Sequence, residues 1–593
     1  MCGIFAYLGP RNDAGRVVID GLKRLEYRGY DSWGIALQTG EDRLWLKKEV
    51  GKISAVENLE LPNAQIAIGH SRWATHGGVT QKNAHPHLNE KGTLAVVHNG
   101  IIENFQELRK ELKKKHKFRS ETDSEIITHL LEDFLEAGKS LEEAARLASF
   151  RLQGRFAFVV ISNSERKLVA ARRGSPLIIG VGEGEYFLAS DIPAFLPYTR
   201  HVNYLDDDQM VVISMDKLIP DALFLTLEDA SPISKRSIEI DWDAKGAEKG
   251  DYPHFMLKEI MEQKETICRA ANQDDALIHE VVDLIKKSKG TFLLGCGTAG
   301  KVALTGSYLF SRIAKEHINA VFGSEFPAQA HFINDKTLII AISQSGETAD
   351  TMEALELAQA KGAKIVSIVN VEGSSMDRMS DITINIKAGP EKAVASTKAT
   401  TAQIAVLTLL AYAMVGRLNE AKQLLVDAAS QITEMLNPRY DGYIETLAVK
   451  LKDFESMYVI GRGLNYPMAL EAAIKLQEVS YIHAEGFAGG ELKHGPIALI
   501  TQGTPLIALV SKDESEPEIL SNAIEVKARG GYVVGVSPEN NDIFDYWIKV
   551  PDVGNAAPIL SIIPIQILAY KLAVLRGNDP DMPRNLAKSV TVK

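Results

Sequence analysis

The sequence predicts a sheet-rich α+β domain followed by two doubly wound α/β domains with parallel sheets, and three observations carry that prediction. Over residues 1–215, short β-rich runs at 65–69, 93–98, 155–161 and 210–213 alternate with two helical patterns at 14–25 and 124–137. From 229 to 250 the pattern turns polar and aperiodic, through Ser231-Pro232, and helical periodicity resumes near His254. The remainder of the chain repeats itself, which is the strongest architectural signal.

The N-terminal elements open on Cys2-Gly3-Ile4-Phe5, an apolar strand-like run with no charged targeting segment ahead of it. The basic run 110–117 reads as a solvated helix face, because Glu107 and Glu111 flank it and no aromatic residues interleave. Domain boundaries follow at 2–220, a linker at 221–252, then 253–435 and 436–593.

In the repeat, an apolar strand at 291–294 enters Gly295-Cys296-Gly297-Thr298 and a helix, while 456–460 enters Gly461-Arg462-Gly463-Leu464 and a helix. A second strand at 337–342 runs into Ser343-Gln344-Ser345-Gly346-Glu347-Thr348, and its counterpart 504–510 into Ser511-Lys512-Asp513-Glu514-Ser515-Glu516. Each loop leads to a helix, a Gly-Ala or Gly-Gly pair, and a third strand, at 364–369 or 532–536. Parallel sheets with ligands outside the carboxyl ends of the strands follow.

Composition excludes several function classes. At about 150 residues per domain, 593 residues with 45% hydrophobic content hold three or four domains. Asp plus Glu outnumber Lys plus Arg by 77 to 66, a net charge of −11, which argues against nucleic acid or an anionic membrane as partner. Cys2, Cys268 and Cys296 show no paired spacing, and no signal peptide or bilayer-length apolar run is evident, so a reducing cytoplasm is expected.

Cys2 carries the first chemical signal. Removal of Met1 would leave a thiol and a free α-amino group on one residue, a nucleophile with its own base titrating at roughly 7.7 to 8.0. The second signal is the divergence of the repeat. Ser343, Ser345 and Thr348 place hydroxyls at a helix start, where free N–H groups and the positive dipole end favour an anion. The equivalent loop of the second copy carries Asp513, Glu514 and Glu516, which repel one, leaving that copy free to supply acid, base or orientation. Gly295-Cys296-Gly297-Thr298-Ala299-Gly300 also fits a dinucleotide fingerprint, but a nicotinamide reading leaves the hydroxyl loop unexplained.

Together these motifs resemble known families. The N-terminal region resembles the glutaminase domain of class II amidotransferases, which are N-terminal nucleophile hydrolases of αββα layering, and the repeat resembles two sugar isomerase (SIS) domains. In this order, and through the tail Pro583-Arg584-Asn585-Leu586-Ala587-Lys588-Ser589-Val590-Thr591-Val592, the chain resembles the glucosamine-6-phosphate synthase family. The resemblance implies glutamine-dependent conversion of fructose-6-phosphate to glucosamine-6-phosphate, opening amino sugar synthesis, with ammonia channelled between sites, no added cofactor and no metal.

It also implies residue roles. Cys2 attacks the glutamine carboxamide, and Asn99 and Gly100 of His98-Asn99-Gly100-Ile101 form the oxyanion hole. Arg72 and Asp123 hold the α-carboxylate and α-ammonium of free glutamine, with Arg28, Trp73, Thr75 and His85 shaping the site and Trp73 gating ammonia. For His70, His76 and His87 a structural role is expected. Gly297, Thr298, Ser343, Gln344, Ser345 and Thr348 bind the sugar phosphate, with Val394 and Ser396 touching the sugar. Lys588 forms the Schiff base, Glu478 moves a proton between C1 and C2 with Lys475 beside it, and His494 opens the ring from the neighbouring subunit, implying a homodimer with a shared isomerase site. Two positions depart: Ala299 stands where bacterial members carry Ser, and Gln477 where they carry Lys, which bears on sugar affinity. A non-catalytic sugar phosphate sensor is the other reading, set against the joint presence of Cys2, Arg72, Asn99, Asp123, Glu478 and Lys588.

Overall fold

The structure, a computed structural model, describes residues 2–57, 59–215, 220–240 and 248–591. Met1, on whose removal the Cys2 argument depends, and residues 241–247 of the expected linker lie outside the described residues. The chain divides into two compact units, residues 1–248 with 587–593, and residues 249–586.

The first unit holds an eight-stranded and a seven-stranded sheet, both built from antiparallel pairs. Gly3–Leu8 lies inside the larger sheet between Ile66–Arg72 and Tyr186–Ala189. Its Ile4, Ala6 and Leu8 join a core shared with Ala157, Val159 and Ile161 of the smaller sheet, and its Phe5 and Tyr7 join a core with Val17, Val18 and Leu22 of the helix Ala14–Arg24. Phe156–Ser162 does the same from the other side: Phe156, Phe158 and Val160 pack with Ile126, Leu130 and Ala145 of the helices Glu125–Glu136 and Leu141–Arg151. Both faces of these strands are buried, so they read as continuous apolar runs rather than alternating ones. Three cores separate four layers: helix, sheet, sheet, helices.

The expected runs correspond to Ile66–Arg72, Leu94–Gly100, Phe156–Ser162 and Gln209–Ser214. The expected linker needs correcting. Asp221–Thr226 pairs along its full length with Gln209–Ser214 and buries Phe224 and Leu225, and Ile238–Glu239 pairs with His201–Tyr204. Charged Asp221, Glu228 and Asp229 and the Ser231-Pro232 turn gave this stretch a polar average that hid two strands.

The second unit contains two five-stranded parallel sheets of identical topology. In each, the first strand in sequence lies between the second and the third, followed by the fourth and fifth. The first sheet runs through Gly290–Gly295, Asn319–Phe322, Thr337–Ser343, Lys364–Val369 and Ile382–Asn385; the second through Ser456–Gly461, His483–Ala488, Pro505–Leu509, Tyr532–Ser537 and Tyr546–Lys549. One continuous apolar core joins the inner faces of both sheets, and each outer face has its own. The topological switch falls between the first and third strands, so the loops after Gly295 and Ser343 flank one crevice.

A further correction concerns the helix Gly554–Leu575, which is long and apolar enough to cross a membrane although no such run was expected. In the fold 83% of it is buried, packed against Asn465–Ser480 and Pro438–Leu451 at the centre of the duplicated unit. A helix enclosed on all sides is apolar all round.

Candidate active site

Cys2 sits at the start of Gly3–Leu8 with its thiol against the turn that follows Ile66–Arg72: the Trp73 N–H donates to Sγ at 3.4 Å, and Sγ lies 3.4 Å from the Trp73 carbonyl. Burial pushes the Cys2 thiol above its usual range. The nucleophile therefore rests as a thiol and needs a base. Its carbonyl accepts from Asn99 Nδ2 at 3.2 Å and from Arg28 Nε at 3.4 Å, while Arg28 Nη1 pairs with Asp191 at 3.0 Å.

The orientation of Asn99 is enforced from behind. His70 Nε2 lies 3.1 Å from Asn99 Oδ1 and 2.9 Å from the His98 carbonyl, and burial holds the imidazole down to about 3. A neutral ring facing two acceptors must carry its proton on Nε2, so Asn99 Oδ1 accepts and Nδ2 is turned toward Cys2 and Ser190 Oγ, the latter at 2.7 Å. His70 stacks on His85 with centroids 4.1 Å apart, and His85 Nδ1 accepts the His98 N–H at 3.3 Å. Gly100, at φ +125°, approaches the Arg155 carbonyl so closely that a Cβ would lie 2.0 Å from its oxygen.

Arg72 donates to the carbonyls of His76, Gly77 and Gly78 at 2.5, 3.1 and 3.2 Å, wrapping the 74–78 turn around its guanidinium. Asp123 is buried, with Oδ2 accepting the Ile102 N–H at 2.8 Å and Oδ1 accepting Ser124 Oγ at 3.3 Å. Thr75 is exposed on the Arg72 turn.

In the second unit, Gly297 at φ +56° and Thr298 open the helix Gly297–Leu309, and Ser343 ends the third strand opposite. Ser343 Oγ accepts the Gly346 N–H at 3.0 Å and Ser345 Oγ the Glu347 N–H at 3.2 Å, shaping a tight loop into the helix Ala349–Ala360. Gly346 at φ +66° lets the loop turn, and Ser343 Oγ lies 3.4 Å from Thr348 Oγ1. Gln344 is half-buried in this turn, its carbonyl accepting from Asn370 N at 3.2 Å.

Thr298 reaches across to the second copy of the repeat, donating to Glu471 Oε1 at 3.1 Å. Glu471, Lys475 and Glu478 then follow along Asn465–Ser480, with Lys475 Nζ 3.4 Å from Glu471 Oε1 and 2.5 Å from Glu478 Oε2. Burial pushes the Glu471 carboxyl up to about 7, partly opposed by Lys475. Burial works against the Lys475 charge, yet Glu478 and Glu471 hold its ammonium above the usual lysine range. Two charges, Lys475 and Glu478, balance, and Glu471 is the carboxyl kept neutral most easily. Val394 and Ser396 lie in a loop wound on Glu391, which accepts from Ser396 Oγ at 3.1 Å and from the Thr397 and Ala399 N–H groups at 3.0 Å; the Val394 N–H donates to the Asp581 carbonyl at 2.9 Å.

Known families match both units. The glutamine amidotransferase domain family matches residues 70–197, and the SIS domain family matches 284–413 and 450–576. Proteins named glutamine–fructose-6-phosphate aminotransferase [isomerizing] are similar over 100% of this chain and 100% of their own: 45% identical in Pyrococcus horikoshii, 44% in Thermococcus kodakarensis and 43% in Thermus thermophilus. The chain belongs to the glutamine–fructose-6-phosphate aminotransferase family. A solved C-terminal domain of glucosamine-fructose-6-phosphate aminotransferase from Francisella tularensis is 35% identical, covering 56% of this chain and 99% of that one with a TM-score of 0.53. Tagatose-6-phosphate ketose/aldose isomerase from Escherichia coli, at 18% identity, 56% and 95% coverage and a TM-score of 0.50, shares the fold.

The aminotransferase family resemblance pointed to residues that the fold treats differently. Cys2, Arg28, Arg72, Trp73, Asn99 and His85 converge through the bonds above. Lys475 and Glu478 meet directly. His494 is exposed at the end of a short helical turn, Gly489–His494, away from those bonds. Lys588 is half-buried in the tail 587–593, which groups with the first unit. Gln477, one departure from the family pattern, donates to the Ala484 carbonyl. Ala299, the other, is half-buried in the first turn of Gly297–Leu309.

Two residues escaped the sequence reading. Glu471 precedes Lys475 by four and Glu478 by seven, a helical i, i+4, i+7 face that its spacing alone could have revealed. Lys301, four residues after Gly297, lies 4.7 Å over the Phe322 ring; burial lowers its pKa, against the pull of Glu471 and Glu478. The acidic loop of the second copy also has a use. Arg312 of the first copy binds Asp513 Oδ2 at 3.0 Å and both Glu514 oxygens at 2.9 and 3.0 Å, so this loop ties the copies together rather than supplying acid or base.

Proposed function

We propose that this chain is a glutamine:fructose-6-phosphate aminotransferase with a class II, N-terminal nucleophile glutaminase and two SIS domains. The observation that carries the proposal is that a thiol faced by an oriented carboxamide and a buried Glu-Lys-Glu relay occur in one chain whose whole length matches this family.

Cys2 Sγ, deprotonated by its own α-amine after Met1 is removed, attacks the carboxamide carbon of glutamine. Asn99 Nδ2 and the Gly100 N–H receive the oxyanion, and ammonia leaves as the thioester forms. Water then hydrolyses the thioester to glutamate. Arg72 and Asp123 select free glutamine by its α-carboxylate and α-ammonium, for which Arg72 exchanges loop carbonyls for the substrate. Arg28 and His85 hold Cys2 and Asn99 in place, Thr75 closes the amino acid pocket, and Trp73 gates the passage of ammonia.

In the isomerase half, Gly297, Thr298, Ser343, Gln344, Ser345 and Thr348 bind the phosphate by N–H groups and hydroxyls, and Val394 and Ser396 contact the sugar. His494 of a second subunit opens the ring, so the enzyme works as a homodimer in the cytoplasm. Lys588 condenses with the C2 carbonyl, releasing water, and ammonia displaces the lysine. Glu478 carries a proton from C1 to C2, completing the ketose to aldose change, while Lys475 keeps its carboxylate ionised.

The test is mass spectrometry of products from amide-15N glutamine and fructose-6-phosphate, with the mature N-terminal mass read alongside. The label is expected in glucosamine-6-phosphate, and Cys2→Ala is expected to abolish it while sparing sugar phosphate isomerisation. Equal loss of both activities would refute separate sites. A sensor or nicotinamide enzyme would form no labelled amino sugar.

A further inference from the structure

We propose that His116, His129 and Glu132 form a binding site for a divalent transition metal of the zinc class, on the helical layer of the first unit. The sequence gave no metal spacing, since thirteen positions separate the histidines; the fold closes that gap. Glu132 follows His129 by three on Glu125–Glu136, and His116 comes from the turn after Phe105–Leu112. Their ligand atoms all lie within 4.8 Å of one another.

The donor arrangement suits an ion. Glu132 Oε2 stands 3.4 Å from His116 Nδ1 and 3.6 Å from His129 Nδ1. Ligands bound tetrahedrally at about 2.0–2.1 Å sit roughly 3.3–3.4 Å apart, so these separations need little change. His129 is 1% exposed, and neither of its ring nitrogens has a hydrogen bond; buried Glu132 Oε2 has none either. Buried polar atoms left unsatisfied carry a penalty that coordination would remove.

The surroundings have the layout of a second layer of support. His116 Nε2 faces Asp133 Oδ1 at 3.1 Å, and His129 Nε2 faces Glu125 Oε1 at 3.6 Å, so each imidazole has a carboxylate behind it and Nδ1 toward the centre. Asn89 Nδ2 donates to Glu132 Oε1 at 3.1 Å, leaving Oε2 free to bind. Carboxylates behind metal-bound histidines fix the tautomer and raise ligand basicity. Glu125, Glu132 and Asp133 bring three negative charges to two neutral rings, an excess that a dication offsets; Lys115, 3.5 Å from Asp133, is the one cation the described ion pairs bring to it. Glu125 also accepts the Arg119 and Ser120 N–H groups, each at 2.7 Å.

The ion's role would be bracing. The segment 113–124 between the ligands' two helices carries Asp123, the residue assigned to the ammonium of glutamine, and a metal joining 116 to 129 and 132 would tie down both its ends. Three protein ligands leave a coordination position for water.

The test uses full-length Cys2→Ala protein with Cys268 alkylated, so that thiols do not compete, stripped with chelator and titrated with Zn2+ by calorimetry and with Co2+ by visible absorption. One ion per chain is expected, lost in His129→Gln and His116→Gln. Asp133→Asn, at a partly exposed position, is expected to retain the fold and weaken binding by about 10–100-fold. In enzyme with native Cys2, stripping is expected to raise KM for glutamine more than it lowers kcat, with Zn2+ restoring it. The proposal is overturned if no stoichiometric ion binds, if binding is unchanged in both His116→Gln and Asp133→Asn, or if His129 titrates as an imidazolium between Glu125 and Glu132 in the presence of excess Zn2+.

Discussion

Lys475 and Glu478 face one another across one turn of a buried helix, Nζ to Oε2 at 2.5 Å, and Glu471 flanks the same ammonium at 3.4 Å. One lysine is thus shared by two carboxyls, and the one farther from it is bonded to Thr298 of the other repeat copy.

That sharing predicts a pH signature for Glu471. Its folded pKa, raised by burial to about 7, lies above the ordinary glutamate value, so between the two the folded state holds a proton that the unfolded chain has lost. Stability from this group therefore falls as pH rises through that window. Glu471→Gln removes the effect, and its stability relative to wild type is expected to improve by about 1–3 kcal/mol between pH 5 and pH 8. Thermal midpoints across that range check this, and parallel curves for the two proteins contradict it.

Asn99 and His70 should act as one unit in glutamine hydrolysis. Asn99→Ala is expected to lower kcat by roughly 100- to 1,000-fold. His70→Phe removes the donor that orients the amide, and roughly a tenfold loss in kcat with KM little changed is expected. Steady-state glutaminase assays decide; a His70→Phe enzyme with unaltered kcat would sever the link.

Gly100 is a backbone requirement. An alanine there meets the Arg155 carbonyl at 2.0 Å while held at φ +125°. Gly100→Ala is expected to destabilise the protein by about 2–4 kcal/mol and to erase glutaminase activity. Denaturant melts measure the first, and a wild-type midpoint would show that the strand end shifts freely.

Lys588 must present a neutral amine to attack a ketone. Borohydride treatment with fructose-6-phosphate should leave a mass adduct on the tail peptide, absent in Lys588→Ala. An adduct of equal yield in that variant would move the Schiff base elsewhere.

Much of this was legible in the sequence where one element carried its own signal. The strands 337–342 and 364–369 are apolar runs ending in glycine or hydroxyl turns, and they fold as Thr337–Ser343 and Lys364–Val369. Lys475 and Glu478 meet because three residues on a helix are one turn. Illegible were features made by distant residues. His70 orients Asn99 from another strand, Arg312 finds Asp513 across 201 positions, and His116 meets Glu132 only because two helices pack. Strand Asp221–Thr226 was hidden for another reason: at the sheet margin only Phe224 and Leu225 are buried, too few to show a period.

The shared strand order of the two parallel sheets, seamed by Arg312 and by Thr298 with Glu471, makes the second unit behave as a dimer fused into one chain. A symmetric ancestor would have owned two equivalent crevices. Once fused, one half kept the hydroxyl cradle while the other surrendered its own to the seam, and the proton relay now stands on the wall contributed by the half that no longer binds. Specialisation of this kind is irreversible in parts: neither half alone retains both the cradle and the relay, so division of the gene would separate recognition from chemistry.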